Sequence, residues 1–105
     1  MVVELANGPT TPQADTILYG KGIHVIPDIL ANGGGVAASH LEMVQNRDTY
    51  YWEESLGYER LDAAMTRAYR TVHSAVQAHK VHPRLGAMLV AVARVAEACK
   101  LRGWV

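Results

Sequence analysis

Cysteine is nearly missing from this chain of 105 residues: Cys99 stands alone, which excludes an internal disulfide and any zinc site built on several thiolates. An excess of one charge is missing too. Ten basic residues cancel ten acidic ones, and no block of like charge offers a surface for nucleic acid or an anionic membrane. The longest apolar run, Ala87 to Ala93, ends at Arg94. It falls far short of the roughly 20 residues that a membrane-spanning helix requires. The opening Met-Val-Val-Glu has neither the basic flank nor the long apolar core of a secretory leader. A soluble, cytoplasmic protein with no nucleic-acid or membrane partner is expected. The histidines add no metal site to this picture. His79 and His82 are split by the helix break at Pro83, and His24, His40 and His73 have no acidic or cysteine cluster in reach.

What is present is an apolar half of the sequence, enough for one small packed domain. Val2 to Ala6 reads as a short β-branched strand stopped by Asn7-Gly8-Pro9. Thr10 or Thr11 can cap a following helix, with Pro12 in its first turn and Gly20-Lys21-Gly22 closing it. Ile23 to Ile26 is a second strand, halted by Pro27. Strand, helix and strand in about 25 residues is a parallel βαβ unit. Three helices are expected after it: Val36 to Asn46, Glu53 to Lys80, and Arg84 to Arg102. The second carries Leu61, Met65, Ala68, Val72 and Val76 on one face; the third carries Leu85, Leu89, Val92, Ala96 and Cys99. These stripes read as core or interface seams. Tyr50, Tyr51, Trp52 and Tyr58 read as a packing cluster under the long helix, or as an aromatic interface patch. The expected fold is α/β: a partial Rossmann-like domain of one parallel βαβ unit, then three C-terminal helices. Residues 1–46 form the ligand-facing part and residues 47–105 a helical segment packing on it. Two parallel strands do not make a self-sufficient sheet. Their edges await helices, another subunit or a further part of the protein, and the last is the expectation.

Chemistry gathers where the strands end. Asn7 follows the first strand and Asn32 lies a few residues beyond the second, so parallel strands bring both to one sheet edge, where ligands of α/β proteins sit. An amide offers an acceptor and two donors, suiting a carboxamide or a ribose diol. Each asparagine can equally be shaping a turn. Gly33-Gly34-Gly35 reads as a loop before a helix, letting backbone approach a ligand and presenting unpaired N–H groups to an anion. A flexible helix cap is the plainer reading of the same pattern. Ser39, one turn further on, adds a hydroxyl.

Taken together, ANGPTTPQAD, GIHVIPDILANGGGV, Ser39, Glu42 and Val44-Gln45-Asn46, with Met65-Thr66-Arg67-Ala68 and the closing Leu-Arg-Gly, resemble the C-terminal part of hexameric NAD(P)-dependent glutamate dehydrogenases. The resemblance spans essentially the whole chain. It implies oxidative deamination of L-glutamate to 2-oxoglutarate with NAD or NADP, in a homo-oligomer. It assigns Asn7 to the nicotinamide ribose and Asn32 to the nicotinamide carboxamide. Val36 and Ser39 fall to the substrate side chain, and Gly34 and Gly35 to close passage of backbone past the ligand. Leu5 stands where the family usually has Gly or Ala, Gly33 where it has Ala, and His40, Leu41 and Met43 where aromatics are common. The family's catalytic Lys and Asp lie in an upstream domain, so no catalytic residue is assigned here. The isolated chain is expected to be inactive without the remainder of the enzyme or other subunits. The alternative expectation is a non-catalytic truncated paralogue that binds subunits or self-associates.

Overall fold

The computed structural model describes residues 1–104 as one α/β unit. Strand β1 (Val2–Val3) and strand β2 (Val25–Ile26) pair in parallel, with Val2 opposite Val25 and Val3 opposite Ile26. The Val2 N–H donates to the His24 carbonyl at 2.9 Å and the Glu4 N–H to the Ile26 carbonyl at 3.1 Å. Helix α1 (Pro12–Gly20) connects them. The Thr11 hydroxyl caps it, accepting from the Ala14 N–H at 3.2 Å, and Pro12 occupies the first turn where its missing N–H has no partner to lose. Gly22, at φ +67°, turns the chain back towards β2 in a conformation that favours glycine.

Both strands are shorter than the sequence pattern predicts. The ladder ends because Pro27 supplies no N–H and Asp28 at once begins helix α2 (Asp28–Ala31), leaving Leu5 and Ala6 nothing to pair with. Pro27 is itself fully buried.

The glycine run is not a loop. Asn32, at φ −77° and ψ −13°, closes α2 and opens helix α3 (Gly33–Asp48), so all three glycines are helical. The Gly35 N–H is bonded to the Asn32 carbonyl at 3.2 Å, which removes it from the donors expected at this helix start. Thr49, in the left-handed region at φ +53°, ends α3. After a short connector, helix α4 (Glu54–His79) runs for 26 residues, and helix α5 (Pro83–Leu101) returns along it.

Helix α4 buries the predicted face: Leu61, Met65, Ala68 and Val76 are half-buried and Val72 is buried. Helix α5 does not. It crosses α4 so closely that a Cβ on Gly86 would stand 2.5 Å from Val76 Cγ2, and Gly86 and Ala87 are the buried residues. Only small residues permit that approach. The larger Leu85, Leu89 and Val92 therefore lie on the outer side, the last 60% exposed, so the core half of the seam expectation fails for α5. Tyr50, Tyr51 and Tyr58 are exposed as well. Of that group Trp52 is half-buried, with the Arg60 guanidinium 3.8 Å above its ring and its main-chain N–H donating to Gln45 Oε1 at 2.8 Å.

Candidate functional site

The carboxyl ends of β1 and β2 carry Asn7 and Asn32 into contact. Asn32 Nδ2 donates to Asn7 Oδ1 at 2.9 Å, across 25 residues of sequence. That bond uses one donor and one acceptor. It leaves the Asn7 amide N–H groups, one Asn32 side-chain N–H and Asn32 Oδ1 without a partner among the described residues, a set that suits a group of mixed polarity. Placement beyond the ends of parallel strands follows from the short ladder: β1 gives way at Leu5, β2 at Pro27, and both chains then turn.

Helix α3 continues directly from Asn32. A Cβ built on Gly33 or Gly35 would meet nothing within 4 Å, and on Gly34 only the Met65 side chain at an ordinary 3.7 Å. Val36 and Ser39, three residues apart and so on one helix face, are exposed; Val36 is 76% so. The Ser39 hydroxyl donates to the Gly35 carbonyl at 3.0 Å, back-bonding to its own helix and leaving its oxygen free to accept. All six residues singled out from the sequence thus sit along Asn7, Asn32 and the first two turns of α3. Beside them an apolar groove of about 360 Å³ runs between β1 and α4, lined by Val3, Leu5, Ile26, Ala31, Met65 and Tyr69. Leu5 and Ala31 place it two residues from Asn7 and one from Asn32. A second cavity, under the His24–Tyr69–His73 ring cluster, has about 50 Å³ and holds no more than a few waters. Among the described residues no group of three or more His, Cys, Asp or Glu could hold a metal ion.

Sequence reasoning missed the charged cluster behind this edge. Arg84, from the first turn of α5, reaches three carboxylates on three other segments. Its Nη2 lies 2.6 Å from Glu4 Oε2 just after β1, its Nε 2.5 Å from Asp15 Oδ2 in α1, and its Nη1 2.6 Å from Asp28 Oδ1 in α2. Glu4 also accepts from the Thr10 hydroxyl and, at 2.9 Å, from the Asp28 N–H; Asp28 Oδ2 accepts from the Gly8 N–H at 2.7 Å. Burial pushes the Glu4 carboxyl up, but the Thr10, Asp28 and Arg84 donors outweigh it and hold it below the ordinary range. The Gly8 N–H does most to hold Asp28 down, against a smaller opposing effect of burial. Hydrogen bonding to Asp15, then to Glu4 and Asp28, raises Arg84 further. Glu4 and Asp15 are buried in the fold, and buried charge demands a partner. No spacing rule names a partner 80 residues away.

The fold is that of an α/β protein whose candidate site residues gather beyond the ends of two parallel strands, the place where ligands of open α/β sheets commonly bind. The sequence pattern of the Glutamate/Leucine/Phenylalanine/Valine dehydrogenase family matches residues 1–103, and the chain belongs to that family. It is 45% identical over 104 residues to the NAD-specific glutamate dehydrogenase of Staphylococcus aureus (strain COL), covering 99% of this chain and 25% of that protein. The crystal structure of glutamate dehydrogenase from Peptoniphilus asaccharolyticus matches 99% of this chain with a TM-score of 0.91 at 41% identity, over 27% of that chain. A hetero-hexameric glutamate dehydrogenase from Thermus thermophilus, in its leucine-bound form, matches 88% with a TM-score of 0.82 at 36% identity, over 22% of that chain. The chain thus spans about a quarter of the length of these relatives.

Proposed function

We propose that this chain supplies the nicotinamide-facing and glutamate-facing wall of a glutamate dehydrogenase, the enzyme that oxidatively deaminates L-glutamate to 2-oxoglutarate with a nicotinamide dinucleotide. The observation that carries the reading is the paired amides of Asn7 and Asn32 beside a helix start of three glycines, of which Gly33 and Gly35 have open space above them and Gly34 meets only the Met65 side chain at an ordinary distance. Each helical glycine costs about 1 kcal/mol relative to alanine. None of the three has a positive φ, and none is required by a tight neighbour in the chain. Their use is explained by close approach of something outside the chain. Family membership and the NAD-specific relatives favour NAD as that cofactor; NADP is the alternative.

In this reading Asn7 hydrogen-bonds the nicotinamide ribose and Asn32 the carboxamide, with the apolar groove beside them walling the ring. The cofactor supplies the hydride acceptor; the residues here orient it and exclude water from one side. Val36 lines the substrate side chain, Ser39 hydrogen-bonds its carboxylate, and Gly34 and Gly35 let the ligand lie close to the α3 backbone. These groups are uncharged. The cations that hold two substrate carboxylates, and the base that takes the proton from the α-amino group, come from the remainder of the enzyme or from other subunits. The chain by itself is therefore inactive, and it works in the cytoplasm within a homo-oligomer. Residues 1–46 serve as the second part of a dinucleotide-binding domain and residues 47–105 as the helical segment behind it. The packing of α5 on β2 and α2 supports treating the two as one unit.

Ser39→Ala in a complete homologue carrying this segment tests the site. The KM for glutamate is expected to rise while cofactor affinity stays put; an unchanged KM removes Ser39 from the site. The outward apolar stripe of α5 favours a second reading, a non-catalytic module that associates with other subunits. Size-exclusion chromatography separates the two: a discrete oligomer of the chain alone supports the module, and a folded chain that does not self-associate supports the catalytic wall.

A further inference from the structure

The two asparagines are joined by one hydrogen bond, and both of their segments are anchored by the same residue, Asp28, one through its carboxylate and the other through its main-chain carbonyl. Asp28 Oδ2 accepts the N–H of Gly8, the residue next to Asn7. Asp28 is also the first residue of α2, the four-residue helix that ends against Asn32, whose own N–H donates to the Asp28 carbonyl at 2.8 Å. One side chain thus ties the turn carrying one amide to the helix carrying the other. Its second oxygen is held by Arg84 Nη1 at 2.6 Å, while Arg84 Nη2 grips Glu4, which in turn accepts the Asp28 N–H. A planar guanidinium can serve these acceptors at fixed angles; an ammonium cannot.

We infer that Arg84 is a positioning residue for the Asn7–Asn32 pair, acting through Asp28 to set the spacing of the two amides. The inference rests on the reading of that pair as the cofactor contact only for what the spacing is used for; the spacing itself is a property of this chain. Asp28 carries the geometry; Arg84 Nη1 and the Ile29 N–H, at 2.6 and 2.8 Å from the same Oδ1, fix which way its carboxylate faces, and Arg84 is the one of the two that ties it to the rest of the cluster. Asp15 steadies the third edge of the guanidinium without touching either amide-bearing segment.

Two substitutions test this in the ¹⁵N-labelled chain. Arg84→Lys keeps the charge and loses the fork. Asp28→Asn keeps the shape and relieves the imbalance of three carboxylates around one cation, so it leaves the fold standing even where Arg84→Lys does not. In both variants the Gly8 amide and the Asn32 side-chain NH₂ resonances are expected to move together towards free-amide positions, with circular dichroism retained. A helix-packing role alone would leave the Asn32 side chain where it is in the wild type. Finding it unmoved in folded Asp28→Asn overturns the inference. Nicotinamide mononucleotide then serves as the probe of use. It should shift Asn7 and Asn32 in the wild type and bind about tenfold more weakly to the variants, the loss of one well-placed hydrogen bond. Wild-type amides that ignore the probe would count against the cofactor reading and leave the positioning result intact. Equal binding by wild type and variants would count against positioning.

Discussion

The two ends of helix α2 are built on opposite principles. At the N-terminal end, Asp28 meets Arg84, the Gly8 N–H and, through its own N–H, Glu4, so every strong polar group finds its partner inside the chain. At the C-terminal end Asn32 meets Asn7, and Gly33 and Gly35 after it border open space. The first end is closed on itself. The second leaves amide donors and an acceptor without partners among the described residues, as the proposed cofactor contact requires. Stability should therefore concentrate at one end and ligand dependence at the other, although only four residues separate them.

Removing the cation from the closed end should have the largest effect. Arg84→Met leaves three carboxylates, two of them buried, without a counter-charge, and about 3–5 kcal/mol of stability is expected to go. Urea denaturation measures it. A loss under about 1 kcal/mol would class the cluster with ordinary surface bridges and erase the contrast.

Acid should unpick part of the same cluster. Glu4 and Asp28 are both held below their ordinary values in the fold, so the unfolded chain takes up protons first. Their stabilisation is then complete above the usual carboxylate range near pH 4 and is lost as the pH falls through the lower, folded values. Melting temperature against pH should be flat near neutrality and drop below about pH 4. The drop should be shallower in a variant whose Asp28 is already neutral, Asp28→Asn.

The glycines sharpen the comparison by changing sign. Gly86 lies in the closed part, where an added methyl meets Val76 Cγ2 at 2.5 Å, and β-branched valine has little room to turn away. Gly86→Ala should cost about 1–3 kcal/mol despite its gain in helix propensity. Gly35→Ala meets nothing, so the isolated chain should gain about 0.5–1 kcal/mol. Thermal melts of the two variants, moving in opposite directions, would separate a glycine kept for packing from one kept for a ligand.

The same division explains what was legible in the sequence. Short-range signals were enough for the βαβ unit: a proline stop, a threonine cap, and apolar spacing along α4. The meeting of Asn7 and Asn32 followed from parallel strands alone. Helix α5 was misread because its heptad of large residues marks the outer face, while the inner face is defined by the absence of side chain at Gly86. Periodicity counts large residues and is blind to a crossing that requires small ones. The glycine run looked like a loop because its propensity opposes helix, and the continuous turn from α2 through Asn32 overrode it. Arg84 was invisible for a different reason: its three acceptors sit 56 to 80 residues away, and nothing local couples them.

The smallest effect belongs at the open end, and its smallness is the point. Ser39 is exposed, and its hydroxyl bonds only to the Gly35 carbonyl of its own helix, a bond that competes with the helix more than it supports it. Alanine has the higher helix propensity, by less than about 0.7 kcal/mol. Ser39→Ala should therefore leave the melting of the chain unchanged or raise it slightly, within about 0.5 kcal/mol. A clear loss would mean that the hydroxyl is part of the packing at α3. Its place would then be explained without a substrate, and the open end would be as self-sufficient as the closed one.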